Sequence, residues 1–199
     1  MLEQAEIHAT EGFSEIIYGE LQRLLDRNNV KLAEIDTYAV ASGPGSFTGV
    51  RIGLAAAKGC AEMHGRLVVP VSNLLAIAAL SGLPATSPAT LPATSPAITC
   101  PIIDVRRGEF AAAVYSANLE LLLPPFSATP AGIIERTREF GNVIYCGPDA
   151  PKSFPNAVET SRALAGTIAR LAATRPGCDP ALADAEYVRR ADVRLPSPT

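Results

Sequence analysis

A glycine-rich segment, SGPGSFTGVRIG, follows an apolar run of the chain and leads into a stretch whose apolar residues have helical spacing. Pro44 fixes one backbone φ angle, whereas Gly43 and Gly45 permit positive φ, so the chain can turn sharply at this point. Either Ser46 or Thr48 can then cap the following helix. A strand, a tight turn and a helix in this order favour a fold in which strands and helices alternate.

Glycine-rich turns of this kind also hold phosphates, because the first backbone N–H groups of a helix have no partner within the helix. The segment does not match GxxxxGK[ST], since no lysine stands at the required position, and it does not match GxGxxG. The pattern therefore favours a structural turn between a strand and a helix over a nucleotide site.

The predicted second helix, Gly49–Met63, has a small residue at every fourth position, so Gly49, Gly53, Ala57 and Ala61 share one face. A glycine within a helix costs about 1 kcal/mol relative to alanine. Small side chains in return allow another element to approach closely. The composition favours packing onto the chain's own sheet, and a seam for a partner's helix is the alternative.

The rest of the chain also alternates between the two periodicities. Phe13–Asn28 has the apolar spacing of an amphipathic helix, and this order of elements predicts the α/β class. The other predicted elements are the strands Ile35–Ala41, Leu67–Val71, Ala97–Val105, Glu109–Tyr115 and Val143–Cys146, the helix Asn73–Leu80 with Ser72 as its cap, and the helix Ser161–Ala173.

A tandem copy interrupts this order, because LPATSPA occurs at residues 83–89 and again at residues 91–97. Chain that is rich in Pro, Ala, Ser and Thr cannot bury enough side chain to offset its ordering entropy. The copy therefore predicts a flexible linker over residues 83–97. It would separate a partial N-terminal lobe, residues 1–82, from a C-terminal lobe, residues 98–199.

Composition excludes several classes of protein. Hydrophobic residues make up 48% and charged residues 19%, as in globular proteins, and a net charge of -3 disfavours unaided binding of nucleic acid. Cys60, Cys100, Cys146 and Cys178 have neither CxxC nor zinc-site spacing, so we expect buried or inert thiols. No apolar run approaches the roughly 20 residues of a membrane span, and no signal peptide is evident, so we expect a cytoplasmic protein.

Four charged residues, Asp104, Arg106, Arg107 and Glu109, cluster at the tip of the hairpin that the third and fourth strands predict. The two carboxylates can form a catalytic pair, but a solvated charged turn is the commoner arrangement. The chain's two histidines have no second metal ligand close in sequence, so no metal site is expected.

Several of these segments resemble the TsaB family, also called YeaZ. SGPGSFTGVRIGLAAAKGCAEMHGRLVVPVSNLLAIA is similar to the family's glycine-rich stretch, which is highly specific, and PIIDVRRGEFAAAVY is similar to its hairpin. VIYCGPDA resembles a later Gly-Asp-Gly turn, and ADAEYVRRADV resembles the closing segment. The resemblance runs from Ile7 to Asp192, with gaps at the LPATSPA copies and at Leu119–Phe140.

The resemblance implies an actin-like, or heat-shock-ATPase-like, fold of two lobes, each with a mixed sheet flanked by helices. TsaB is the dimerisation subunit of the bacterial machinery that makes threonylcarbamoyladenosine beside the tRNA anticodon. It is a degenerate relative of the catalytic subunit TsaD, and the ATPase TsaE joins the assembly. The resemblance therefore implies no catalytic residue, no metal and no cofactor of its own, with ATP or ADP left to partner subunits and tRNA contacted only indirectly. A homodimer of the isolated chain is an alternative pairing.

The family pairs with TsaD through its first two helices, so the resemblance implies a helical seam here, with Gly43, Pro44, Gly45 and Ser46 shaping the loop before the second helix. Arg51 falls in the first turn of that predicted helix, where a cation is electrostatically unfavourable. It is therefore a candidate for a partner's carboxylate, with a solvent-facing arginine as the alternative. The implied interface residues are Phe13, Ile16, Ile17, Leu21, Phe47, Thr48, Gly49, Arg51, Gly53, Leu54 and Ala57.

The chain departs from the family pattern in two places. Family members open with two strands before the first helix, whereas this chain begins at MLEQAEIH, so we expect an incomplete N-terminal lobe from a misassigned start or a truncation. TsaD-type proteins bind metal through two histidines on the first helix, where Phe13 and Ile17 stand here and cannot ligate a metal. A glycoprotease-type peptidase and a standalone nucleotide-binding ATPase remain alternative functions, disfavoured by the missing histidines and the absent first phosphate loop.

Overall fold

The computed structural model describes residues 2–7, 12–81 and 98–188. Helices and strands alternate along most of these residues, which confirms the predicted α/β class. The LPATSPA copies, predicted as a linker over residues 83–97, lie outside the described residues. The elements are, in order, α1 (Phe13–Arg27), β1 (Thr37–Gly43), α2 (Phe47–Met63), β2 (Leu67–Ser72), α3 (Asn73–Ser81), β3 (Ile98–Asp104), β4 (Phe110–Tyr115), β5 (Leu121–Ala128), α4 (Pro130–Thr137), β6 (Val143–Cys146) and α5 (Ala165–Ala172).

The strands form two sheets. β1 and β2 lie parallel in the first sheet, with Val40 opposite Pro70. The second sheet has the order β5-β4-β3-β6, in which β3 runs antiparallel to β4 and parallel to β6. The β3–β4 pairing confirms the predicted hairpin.

A single buried cluster joins elements from the two sides of the predicted linker. Val71 of β2 and Leu74 of α3 pack in it together with Tyr115 of β4 and with Ile168 and Leu171 of α5. α3 and α5 contribute most of these apolar side chains, because α3 is buried on all sides over residues 74–79 and α5 is buried along one face. The two sheets therefore share one apolar core through these helices.

The segment 177–188, called the closing segment below, crosses back over the first sheet. Val68 and Cys178 exchange backbone hydrogen bonds of 3.0 and 2.8 Å. The Glu186 amide donates to the Ser42 carbonyl oxygen at 2.7 Å, and Ala183 is only 1% exposed beneath α2 and β1. The last described residues thus cover the first sheet and reach the glycine-rich loop.

Several predicted boundaries were wrong. Ser72 does not cap α3, because it belongs to β2 and its hydroxyl donates to the Gly43 carbonyl oxygen at 3.3 Å. The last helix begins at Ala165 rather than Ser161, since Arg162 precedes it and binds a carboxylate elsewhere in the chain. The elements β5 and α4 had no counterpart in the prediction.

Candidate functional site

The glycine-rich loop between β1 and α2 is held by two other parts of the chain. Gly43 has a φ of +103°, and a Cβ there would stand 3.0 Å from the Glu186 carbonyl oxygen. Asn73 Nδ2 donates a hydrogen bond to the Pro44 carbonyl oxygen at 3.0 Å. The closing segment therefore lies against the loop, and only glycine fits both the conformation and the close approach at residue 43. Gly45 is exposed beside it.

Ser46, and not Thr48, caps the helix that follows. The Ser46 hydroxyl accepts a hydrogen bond from the Gly49 amide at 3.3 Å, and α2 begins at Phe47. The predicted start at Gly49 was two residues late. Because Ser46 is the cap, the first helical residue is the next one, Phe47. Arg51 is consequently the fifth residue of α2, and its predicted place in the first turn was wrong.

Three of the predicted interface residues face the chain's own first sheet. A Cβ on Gly53 would stand 3.8 Å from Val40 Cγ2. Leu54 is 6% exposed and packs in the cluster that contains Val40, and Ala57 packs against the same cluster. The small-residue face thus allows α2 to lie close to β1, and any surface for a partner depends on the other residues.

The remaining predicted residues of α2 and the start of α1 are open to solvent. Phe13 is 55% exposed and Phe47 is 53% exposed. Thr48, Gly49 and Arg51 are also exposed on the first two turns of α2. The other predicted residues of α1, all half-buried, are Ile16, Ile17 and Leu21.

An apolar groove of about 340 Å³ lies between α1 and α2. Tyr18 and Met63 stand at it and are 56% and 70% exposed. Sequence reasoning missed both, although Tyr18 lies three residues before Leu21 and so on the same helix face. We call this groove, with the exposed side chains of Tyr18 and Met63 that line it, the α1–α2 surface. The groove is lined by Tyr18, Leu21, Gln22, Leu25, Leu32, Gly59, Cys60 and Met63.

Arg51 packs on the face of the Phe47 ring and beside Tyr187, whose ring centre lies 5.7 Å from that of Phe47. Its guanidinium carbon lies 3.7 Å from the centre of the Phe47 ring and 5.7 Å from the centre of the Tyr187 ring. The Nε atom donates a hydrogen bond to the Tyr187 hydroxyl at 2.8 Å. Tyr187 belongs to the closing segment, so this cation connects the surface of α2 to the end of the described chain.

The charged hairpin tip is held by hydrogen bonds of its own carboxylates. Asp104 Oδ1 accepts the Arg106 amide at 2.6 Å. Glu109 Oε2 accepts the Ser127 hydroxyl at 2.9 Å. Arg106 and Arg107 have φ values of +75° and +60°, which turn the chain at the tip. These contacts support the charged turn more than a catalytic carboxylate pair.

A family model described as TsaD, tRNA N6-adenosine threonylcarbamoyltransferase, matches residues 6–123 of the chain. The match includes α1, the glycine-rich loop, α2 and the β3–β4 hairpin. The chain belongs to this family. Both helices of the α1–α2 surface lie within the residues that the family model matches.

The curated relatives of this TsaD-family chain are TsaB proteins, which confirms the predicted resemblance. The tRNA threonylcarbamoyladenosine biosynthesis protein TsaB of Haemophilus influenzae is 41% identical over 58 residues, which are 29% of this chain and 25% of that protein. TsaB of Bacillus subtilis is 30% identical over 130 residues, covering 63% of this chain and 52% of that protein. The chain therefore spans between a quarter and about half of the length of these relatives.

A solved structure shows the same fold. It is that of an uncharacterized Pseudomonas aeruginosa protein with similarity to the peptidase YEAZ. It superposes with a TM-score of 0.68 at 21% identity and covers 88% of this chain and 83% of that one. This superposition confirms the predicted two-lobe α/β fold of the family. The similarity to a peptidase describes the Pseudomonas aeruginosa protein.

Two cysteines of this TsaD-family chain lie deep in the second sheet. Cys100 of β3 and Cys146 of β6 are fully buried on neighbouring strands. Burial raises the pKa of the Cys100 thiol and raises the pKa of the Cys146 thiol to about 12. Both thiols stay protonated at neutral pH and are poor nucleophiles, as the prediction of inert thiols requires.

The turn after β6 contains a buried carboxylate that the sequence did not single out. Asp149 is 8% exposed and accepts hydrogen bonds from Lys152 Nζ at 2.9 Å and from Arg162 Nη2 at 2.7 Å. The hydrogen bond from Lys152 is the largest cause that lowers the pKa of Asp149, and Arg162 lowers it further while burial opposes them. A carboxylate paired on two sides ties the turn to the chain before α5.

None of the helices within residues 2–7, 12–81 and 98–188 combines the length and the apolar character that a bilayer span requires. In the same ranges no three side chains of His, Cys, Asp or Glu come together as a metal site would need.

Proposed function

We propose that this chain is a non-catalytic, TsaB-like subunit. It pairs with a TsaD-type threonylcarbamoyltransferase and supports N6-threonylcarbamoylation of the adenosine next to the tRNA anticodon. The observation that carries the proposal is the exposed apolar α1–α2 surface, on the two helices that the family resemblance assigns to pairing. The names of the TsaB relatives place those proteins in the biosynthesis of threonylcarbamoyladenosine.

The physical case rests on side chains that are costly to leave in water. Phe13, Tyr18 and Phe47 each expose more than half of their surface, and Met63 exposes 70%. Aromatic residues and methionine are enriched where proteins bind each other, and burial contributes about 25 cal/mol per Å² of apolar surface. A groove between two helices suits a partner's helices, whose side chains can fill it.

The transfer chemistry is assigned to the partner in this proposal. Phe13 and Ile17 stand where TsaD-type proteins have metal-binding histidines, and neither side chain ligates a metal. The buried thiols of Cys100 and Cys146 are protonated. ATP or ADP would bind to partner subunits, a TsaE-type ATPase would join the assembly, and tRNA would be contacted through the partner.

Size-exclusion chromatography with light scattering tests the pairing, on the chain alone and mixed with its cognate TsaD-type protein. We expect a one-to-one complex. Tyr18→Asp and Met63→Asp should abolish it, because each places a charge in the apolar groove. Ile134→Asp is the matched control, since Ile134 is 44% exposed on α4, away from that groove.

The outcomes separate clearly. A folded wild-type chain, verified by circular dichroism, that forms no complex with the cognate protein contradicts the proposal. A complex retained by both Tyr18→Asp and Met63→Asp would show that the α1–α2 surface is not the pairing surface. A dimer of the chain alone that the partner fails to displace would favour the homodimer.

A further inference from the structure

We infer that Arg51 binds a carboxylate of the partner protein, and that the closing segment, through Tyr187, holds Arg51 in position for it. The inference rests on the proposed pairing with a TsaD-type protein and adds a polar contact at the start of α2. It also makes the closing segment, and not only the two helices, part of the partner interface.

The Arg51 side chain is already ordered before any partner binds. The Phe47 ring stacks on the guanidinium at 3.7 Å, and the Tyr187 hydroxyl accepts the Nε hydrogen at 2.8 Å. An unrestrained arginine would lose rotamer freedom on binding, and a side chain that is fixed in advance avoids much of that loss. The stack therefore prepares Arg51 for one geometry of contact.

The guanidinium keeps both of its terminal nitrogens for that contact. Nε–H donates to the Tyr187 hydroxyl, and within the described residues neither terminal nitrogen of Arg51 makes a hydrogen bond or an ion pair. Arg51 is nevertheless exposed. Two parallel terminal N–H donors match the two oxygens of a carboxylate, and such a pair is both directional and charge-assisted.

The surroundings favour a protein carboxylate over the phosphates of RNA. Phe47, 53% exposed, and Tyr187, 51% exposed, flank the cation with apolar surface. A nucleic-acid site needs several cations together, whereas the contacts that Arg51 makes within the described residues are with the aromatic residues Phe47 and Tyr187. Arginine framed by aromatic rings is also typical of the residues that dominate protein–protein binding energy.

The closing segment is anchored well enough to position Tyr187. Glu186, which precedes Tyr187, donates its backbone N–H to the Ser42 carbonyl oxygen at 2.7 Å. Ala183 is 1% exposed in the cluster under α2. The segment is thus fixed at both β1 and α2, and Tyr187 reaches Arg51 from this fixed backbone.

Calorimetric titration of the full chain with its cognate TsaD-type protein tests the inference. We expect Arg51→Ala to raise the Kd by about tenfold or more, that is, to weaken binding. Arg51→Lys should weaken it nearly as much, because it keeps the charge but loses the planar fork and the stack. Arg51→Glu should weaken it further than alanine, since two carboxylates would then meet. Arg138→Ala, an exposed arginine on α4's end, is the control and should leave the Kd within about twofold.

A double-mutant cycle separates positioning from mere stability. Tyr187→Ala should weaken binding, but Tyr187→Ala combined with Arg51→Ala should bind no more weakly than Arg51→Ala alone, because Tyr187 acts through Arg51. Thermal unfolding of each variant records any effect on the fold separately. Additive losses in the cycle would overturn the positioning role.

Three further outcomes distinguish failure of the inference about Arg51 from failure of the proposed function. If the wild-type chain binds and Arg51→Ala binds equally well, the inference is overturned while the proposed function stands. If the wild-type chain does not bind the TsaD-type protein, the proposed function fails and takes the inference with it. If Arg51→Ala lowers retention of tRNA in a gel shift but leaves the protein affinity unchanged, the ligand is a phosphate and the carboxylate is wrong.

Discussion

Gly147 lies directly against the backbone of Ile102, so a Cβ on residue 147 would stand 2.2 Å from the Ile102 carbonyl oxygen. Its φ is +150°, in the region that side chains disfavour. Because Gly147 directly follows β6 and Ile102 is a fully buried residue of β3, this contact sets how closely the turn packs on the second sheet.

Gly147→Ala should therefore destabilise the fold by about 3 kcal/mol, from strain and overpacking together. Gly19→Ala is the matched control, since nothing lies within 4 Å of a Cβ at that position of α1, and it should stabilise by up to about 1 kcal/mol. Urea unfolding at neutral pH measures both. Equal stability of Gly147→Ala and the wild type would contradict the close packing.

Asp149 should make stability depend on pH in acid solution. Its folded pKa is lowered from 3.8, chiefly by the hydrogen bond from Lys152. The stabilisation is therefore fully present above the unfolded pKa and is lost as the pH falls through the lower folded value. Asp149→Asn should be less stable than the wild type at pH 7, and the difference should shrink as the pH falls below about 4.

Urea midpoints of the two proteins across this pH range measure the effect. Glu159→Gln, at an exposed carboxylate, is the control and should track the wild type at every pH. A constant difference between Asp149→Asn and the wild type down to the lowest pH would mean that the ion pairs with Lys152 and Arg162 do not supply the stabilisation.

The cap of α2 gives a comparison within one turn of chain. Ser46→Ala should lower stability by about 1 kcal/mol, because the Gly49 amide loses its acceptor. Thr48→Ala should have little effect, since Thr48 is exposed within the helix and not at its cap. The two free energies of unfolding decide between the caps that the sequence left open, and a larger loss for Thr48→Ala would reverse the assignment.

The elements that sequence reasoning found are those with a local signal. The glycine-rich turn and the helical spacing after it located α2, and two apolar segments on either side of the charged turn Arg106-Arg107-Gly108 located the β3–β4 hairpin. β5 was missed because Pro124 and Pro125 interrupt its apolar run, and proline in a strand is tolerated only at an edge. β5 is such an edge strand. Thr129, which accepts the Gly132 amide before Pro130, was an available start signal for α4.

The candidate site was predictable only in part, because only some of its contacts have a local signal in the sequence. Helical spacing placed Phe13 on the first helix, whereas Phe47 was named only through the family resemblance and lay before the predicted second helix; both are exposed. The partner of Arg51 was not predictable, because 136 residues separate it from Tyr187. No pattern within α2 indicates that the closing segment returns to it, and the contact exists only once the first sheet and the segment have packed.

Gly53 distinguishes packing on the chain's own sheet from contact with a partner. Gly53→Ala should be tolerated and should stabilise α2 by up to about 1 kcal/mol, because its Cβ would stand at an ordinary 3.8 Å from Val40 Cγ2. Gly53→Leu should destabilise by about 1–3 kcal/mol, since the larger side chain must displace Val40 or the helix. Thermal unfolding of the isolated chain measures both changes. If Gly53→Leu leaves the melting temperature unchanged and weakens only the complex with the TsaD-type protein, the residue faces the partner and its packing on β1 is not the constraint.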